Sequence, residues 1–181
     1  MIRWIFSLLC LLDVTTLAQA QTPDHLPLID AHSQIGPDVD QSEIVSLMDK
    51  AGIAYVILAA RNKVKPHQII NPARKHPDRI TASIRTKGNT YNNNHPKYYK
   101  LLKRQANMPE FNAMAELIIW HAQKGNKAPK VVLPFDSEQV SAAFSIAKER
   151  DWPFVVHIEF RSAGKDGPKY LAAFENLARI N

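Results

Sequence analysis

The chain is poor in the residues that would staple or mark it. It has one cysteine in 181 residues, Cys10, six glycines, and no run of the ~20 apolar residues that a membrane-spanning helix needs. Cys10 falls in an N-terminal segment that reads as removable. The mature chain then has no thiol, can form no disulfide, and must hold any metal through nitrogen and oxygen. No G-x-G-x-x-G turn follows the first apolar strand, which removes the best sign of a dinucleotide-binding sheet. The 23 lysines and arginines exceed the 17 acidic residues, but they are scattered rather than set in a stripe with interleaved aromatics. With no recognition motif beside it, this charge does not point to nucleic acid.

What is there begins with Met1 to Ala20, which reads as a secretory signal. Arg3 supplies the charged start, Trp4 to Leu12 the apolar stretch, and Ala18-Gln19-Ala20 an A-x-A cleavage site. The expected division is a signal over 1–20 and one domain over 21–181, secreted or periplasmic, with Gln21 as the mature N-terminus. The apolar stretch is too short to serve as a stable membrane anchor. Leu9 before Cys10, where a lipoprotein carries a small residue, argues against lipid attachment. An apolar fraction of 45% with 22% charged residues is ordinary for one globular domain with a sizeable core.

Pro27 to Gly36 reads P-L-I-D-A-H-S-Q-I-G. It predicts a first strand with Leu28 and Ile29 buried and with Asp30, His32 and Gln34 on one face by period-two alternation. Asp40 and Glu43 are spaced as a helix cap and its partner, Ile44, Leu47, Met48 and Ala51 follow at helical spacing, and Gly52 suits the C-cap. The scheme then repeats. Strands are expected at 54–58, 79–84, 113–119 and 154–160, with helices over 66–76, from His95-Pro96, from a cap at Asp136, and from Pro168. Residues 88–94, rich in Gly and Asn, and 124–129 read as loops. Five mostly apolar strands alternating with helices predict a parallel sheet with right-handed crossovers. A barrel-type arrangement follows, short of the ~250 residues of a complete one.

The segment I-D-A-H-S-Q resembles the D-x-H-x-H signature that ends strand one in the amidohydrolase superfamily of metal-dependent hydrolases. Gln34 stands where those enzymes carry a second histidine, and its amide oxygen is a weaker ligand than imidazole for zinc-like ions. From Trp152, W-P-F-V-V-H-I-E-F is similar to the segment that ends strand five there, with His157 in the place of a metal-binding histidine. Arg79 onward (R-I-T-A-S-I-R-T-K-G) and Ala115-Glu116-Leu117 resemble strands three and four of the amidohydrolase-related branch, which holds hydrolases and nonoxidative decarboxylases.

The resemblance runs over most of the mature chain. It implies an α/β fold, an incomplete TIM (β/α) barrel of about five parallel strands matching strands 1 to 5 of such an enzyme. It also implies a divalent metal, zinc or manganese, held by His32 and His157, and a small-molecule substrate hydrolysed at a C–N or C–O bond. Asp30, Gln34, Glu116 and Glu159 are further candidate ligands. Glu116 either bridges to metal or pairs with Arg85 or Lys87. Glu159 is a ligand, a partner orienting His157, or a surface carboxylate, the orienting role being preferred. His121 reads as structural or exposed, and His25, His67, His76 and His95 are assigned no role. The base implied by the family, an aspartate from strand eight, and its histidine after strand six have no counterpart in these 181 residues, so no catalytic residue is assigned. The expectation is a chain inactive alone that self-associates through open strand edges. The alternatives are a noncatalytic exported α/β domain and a nonoxidative decarboxylase of the same superfamily.

Overall fold

The computed structural model describes residues 26–179. The signal segment expected over 1–20, with its cleavage site, lies outside the described residues. No described helix is long and apolar enough to cross a membrane.

Six strands, β1 (Leu28–Ile35), β2 (Ile53–Ala60), β3 (Ile80–Ile84), β4 (Phe111–His121), β5 (Val131–Val132) and β6 (Phe154–Ile158), form one sheet. Five of them are parallel neighbours in the order β1, β2, β3, β4, β6, and they make a curled α/β half-barrel that matches the incomplete barrel expected from sequence. The two-residue β5 is the exception, antiparallel to the end of β4. Trp120 pairs with Val132 and with Ile158 at once, so β5 and β6 lie on opposite edges of β4.

The helices are α1 (Ile44–Lys50), α2 (His67–Lys75), α3 (Asn89–Asn92), α4 (Pro96–Ala106), α5 (Glu138–Glu149) and α6 (Gly167–Arg179). Apolar alternation turns one face of the sheet toward them. Val56, Leu58 and Ala60 of β2, Ile80, Ala82 and Ile84 of β3, and Leu117 and Ile119 of β4 join Ile69, Leu102 and Val140 in one buried core. Local chemistry sets the helix starts. Asp40 accepts from the Ser42 amide at 2.9 Å to open the 3-10 turn before α1, and the His95 ring accepts from the Lys97 amide at 3.0 Å with Pro96 behind it. Gly52, at a φ of 68°, supplies the left-handed turn into β2.

Several expectations are corrected. Leu28 and Ile29 are 56% and 59% exposed rather than buried, because among the described residues β1 pairs only with β2 and forms an open edge. Residues 89–92 of the expected loop make the short helix α3, its Tyr91 buried with the hydroxyl donating to the Ile118 carbonyl at 3.0 Å. The cap position of α5 is Ser137, one residue beyond Asp136. β6 stops at Ile158, and Glu159 and Phe160 turn away toward α6.

Candidate functional site at the strand C-termini

Two irregularities in pairing aim the site residues. In β1, Asp30 pairs with Val56 and Ser33 with Leu58, so β1 advances three positions while β2 advances two. In β4, Met114 pairs with Phe154 and Leu117 with Val156, again three against two. Such bulges turn side chains that strict alternation would place elsewhere. His32 lies within the first bulge and Glu116 within the second. Of the three residues expected on one face, His32 and Gln34 keep side-chain contact, and Asp30 does not join them. Asp30 accepts from the His32 backbone amide at 3.0 Å, while His32 and Gln34 meet side chain to side chain.

Glu116 is the centre of the inner cluster and its side chain is only 12% exposed. Its Oε1 lies 2.6 Å from His157 Nδ1. Its Oε2 accepts from the Gln34 amide nitrogen at 3.1 Å and from the Lys87 ammonium, with His32 Nε2 at 3.4 Å. Burial acts to raise its pKa, but the His157 bond, the neighbouring His32 ring and the Lys87 ammonium outweigh it and hold the carboxyl well below the usual carboxylate range. An ionised carboxylate only accepts, so His157 Nδ1 must carry the proton of that short bond. Glu116 raises the His157 pKa through the same bond, against the opposing effect of burial. Of the two cations proposed as partners, Lys87 pairs with Glu116, whereas Arg85 donates to the Asn62 carbonyl.

The second cluster lies one step outward. Glu159, just past β6, is pinned against the end of β4: its amide donates to the Trp120 carbonyl at 3.1 Å and its Oε2 accepts from the Ala122 amide at 2.8 Å. That backbone bond, with Lys124 Nζ 3.0 Å from Oε1, lowers the carboxyl pKa to about 2. His157 Nε2 stands 3.4 Å from Glu159 Oε1 and His121 Nε2 stands 3.8 Å from it. The two rings face each other at 5.4 Å between centroids. Among the described residues, His121, His157 and Glu159 are the set of three ligating groups whose atoms all fall within 4.8 Å of one another.

The family-implied pair fares differently as a metal site. His32 Nε2 lies 2.6 Å from the Gln34 amide nitrogen, whose two protons serve that imidazole lone pair and Glu116 Oε2. With that lone pair engaged, an amide in place of a second imidazole, and the Lys87 ammonium on Glu116, the residues around His32 do not fit an ion.

The open space here is a cleft of about 390 Å³, lined by His32, Gln34, Glu116, His121 and His157, with Arg61 and Lys87 on its basic side. An adjoining cleft of about 370 Å³ adds Arg85 and Lys127. No carboxylate pairs with Arg61, Arg85 or Lys127 among the described residues. Sequence reasoning missed His121 and this basic wall. The apolar alternation of β4 runs on through Trp120, and following it two residues further would have carried His121 onto the strand.

The fold and site thus define an α/β half-barrel with a titratable cluster at the C-terminal ends of its parallel strands. No family model matches the sequence, and no curated protein matches it. Among solved structures, a probable 2-pyrone-4,6-dicarboxylic acid hydrolase from Acinetobacter baumannii, determined with citric acid bound, superposes with a TM-score of 0.42 at 12% identity. The superposition covers 75% of this chain and 51% of that one, so the present chain spans about half the length of that enzyme.

Proposed function

We propose that the chain is an exported hydrolase of the amidohydrolase type, acting on a C–N or C–O bond of a small anionic molecule. The observation that carries the reading is the His157 imidazole. Glu116 takes its Nδ1 proton, and its Nε2 is buried without a hydrogen-bond partner beside the cleft. An imidazole lone pair fixed in this way is the element that water activation needs, as a base toward water or as a ligand to an ion that acidifies it. Position supports the same reading, since strand C-termini are where parallel α/β barrels build their sites.

The basic wall supports an anionic substrate. Arg61, Arg85 and Lys127, without acidic partners among the described residues, favour a carboxylate-bearing substrate. The sheet edges at β1 and β6 are open among the described residues, so the working site forms when those edges are covered. That assigns the isolated chain little or no turnover.

The test separates full-length protein into its association states and assays each against carboxylate-bearing amides, esters and lactones, with zinc or manganese added. Hydrolysis confined to associated fractions and lost in Glu116→Ala and His157→Ala is the expected result. Folded protein that is inert in every state would move the chain to the noncatalytic reading. Release of carbon dioxide without hydrolysis would move it to decarboxylation.

A further inference from the structure

We infer that His121, His157 and Glu159 form a site for one zinc-like divalent ion. It shares His157 with the proposed hydrolytic site and rests on that reading only in its functional meaning. The donors suit a borderline ion, with two imidazoles, one carboxylate and no sulfur. The spacing suits it as well: ligands about 2.0 to 2.2 Å from a tetrahedral ion lie roughly 3.4 Å apart. Glu159 Oε1 is 3.4 Å from His157 Nε2 and 3.8 Å from His121 Nε2.

Two further observations point to a ligand. His157 Nε2, the atom that faces Glu159, is buried with no hydrogen-bond partner, and buried polar atoms are rarely left so. Glu116 also stands behind His157 as carboxylates stand behind metal-bound histidines, taking the Nδ1 proton so that the Nε2 lone pair faces the other two groups.

One group competes for the site. Lys124 Nζ lies 3.0 Å from Glu159 Oε1, on the loop where Lys124 and Ala128 form an isolated bridge. An arriving dication displaces this ammonium, whose side chain is 59% exposed and free to swing into water. Three protein ligands leave a fourth position toward the cleft, and an ion held there supplies Lewis acidity to a substrate carbonyl or to water.

The test is calorimetric titration of zinc into chelator-stripped, full-length protein without substrate. One ion per chain is expected. His121→Ala and Glu159→Gln should each weaken binding at least about tenfold, and His32→Ala should weaken it less than His121→Ala does. Lys124→Ala should tighten it. Should His121→Ala fail to fold, Glu159→Gln carries the test, because Glu159 lies outside the strands. Cobalt in place of zinc should give the visible spectrum of a tetrahedral nitrogen and oxygen site. Absence of binding in the wild type, unchanged binding in folded Glu159→Gln, or an equal loss in His32→Ala and His121→Ala would each overturn the assignment. Hydrolysis that persists without any zinc binding overturns this site while leaving the hydrolytic reading in place, with His157 as the base. Zinc binding without hydrolysis does the reverse.

Discussion

His157 belongs to two clusters that use their atoms in opposite ways. On its Nδ1 side, Glu116 is saturated: Oε1 serves His157, while Oε2 serves Gln34 and Lys87, with His32 beside it. On its Nε2 side, His121 and Glu159 approach to within hydrogen-bonding or ion-binding reach, yet His157 Nε2 and His121 Nδ1 are left without partners. Each carboxylate has a lysine beside it, but Lys87 on Glu116 is 22% exposed and Lys124 on Glu159 is 59% exposed, so the inner cluster is the stabilising and orienting device. The outer one presents lone pairs and a carboxylate to whatever enters the cleft. The difference shows why a histidine at a strand end does not by itself say where a ligand sits. What its other nitrogen touches decides that.

The comparison is broken most strongly at its centre. Glu116→Ala leaves Lys87 and His157 beside each other without their carboxylate, and breaking a buried pair in this way costs about 3 kcal/mol or more. Urea unfolding followed by tryptophan fluorescence measures it, and a loss below about 1 kcal/mol, typical of exposed pairs, would show the inner cluster to be only a surface network. Lys87→Met keeps the aliphatic stem and removes the charge. It should cost about 2 kcal/mol, the scale of a hydrogen bond to a charged group. Glu159→Gln, at the outer cluster, should change stability by less than about 1 kcal/mol, since its partners Lys124 and the Ala122 amide lie near solvent. The ordering of these three variants tests the division between a structural and a receptive cluster, because a larger effect at Glu159 than at Glu116 would reverse it.

A fourth variant concerns the edge. Leu28 and Ile29 lie on β1 with more than half their surface in water, and open strand edges recruit other strands. Leu28→Lys should leave monomer stability within about 0.5 kcal/mol and shift the protein toward monomer in light scattering. An unchanged association state would sink the expectation that this edge drives self-association.

The parallel alternation of strands and helices was legible from sequence, because each signal is local. Asp40 and Gly52 bracket α1, His95-Pro96 opens α4, and the apolar runs of β2 and β3 need only their own residues to be read. What was not legible depends on neighbours. The apolar pair Leu28-Ile29 reads as buried until β1 is known to lie at an edge. Alternation puts Arg85 and Lys87 on one face, and only the approach of β4 chooses Lys87 for Glu116 while Arg85 turns to the Asn62 carbonyl. The bulges at His32 and Glu116 come from register between paired residues 25 or more positions apart in the chain, such as Asp30 with Val56 and Met114 with Phe154. Glu116 stands between the expected pair of ligands, with His32 at its Oε2 and His157 at its Oε1. His121 fell outside the expected strand by two residues, and β5, at two residues, is too short for any periodicity to mark it.

The division between the clusters rests on one proton. Long-range nitrogen–proton correlation spectra of the histidine rings in zinc-free full-length protein at alkaline pH, assigned with His157→Ala, read that proton directly. A His157 ring protonated at Nδ1 and bare at Nε2, with the Nε2 resonance moving when zinc is added, is the result this account predicts. A ring protonated at Nε2 and bare at Nδ1 would contradict it, since Glu116 would then not be the acceptor that turns the His157 lone pair toward His121 and Glu159.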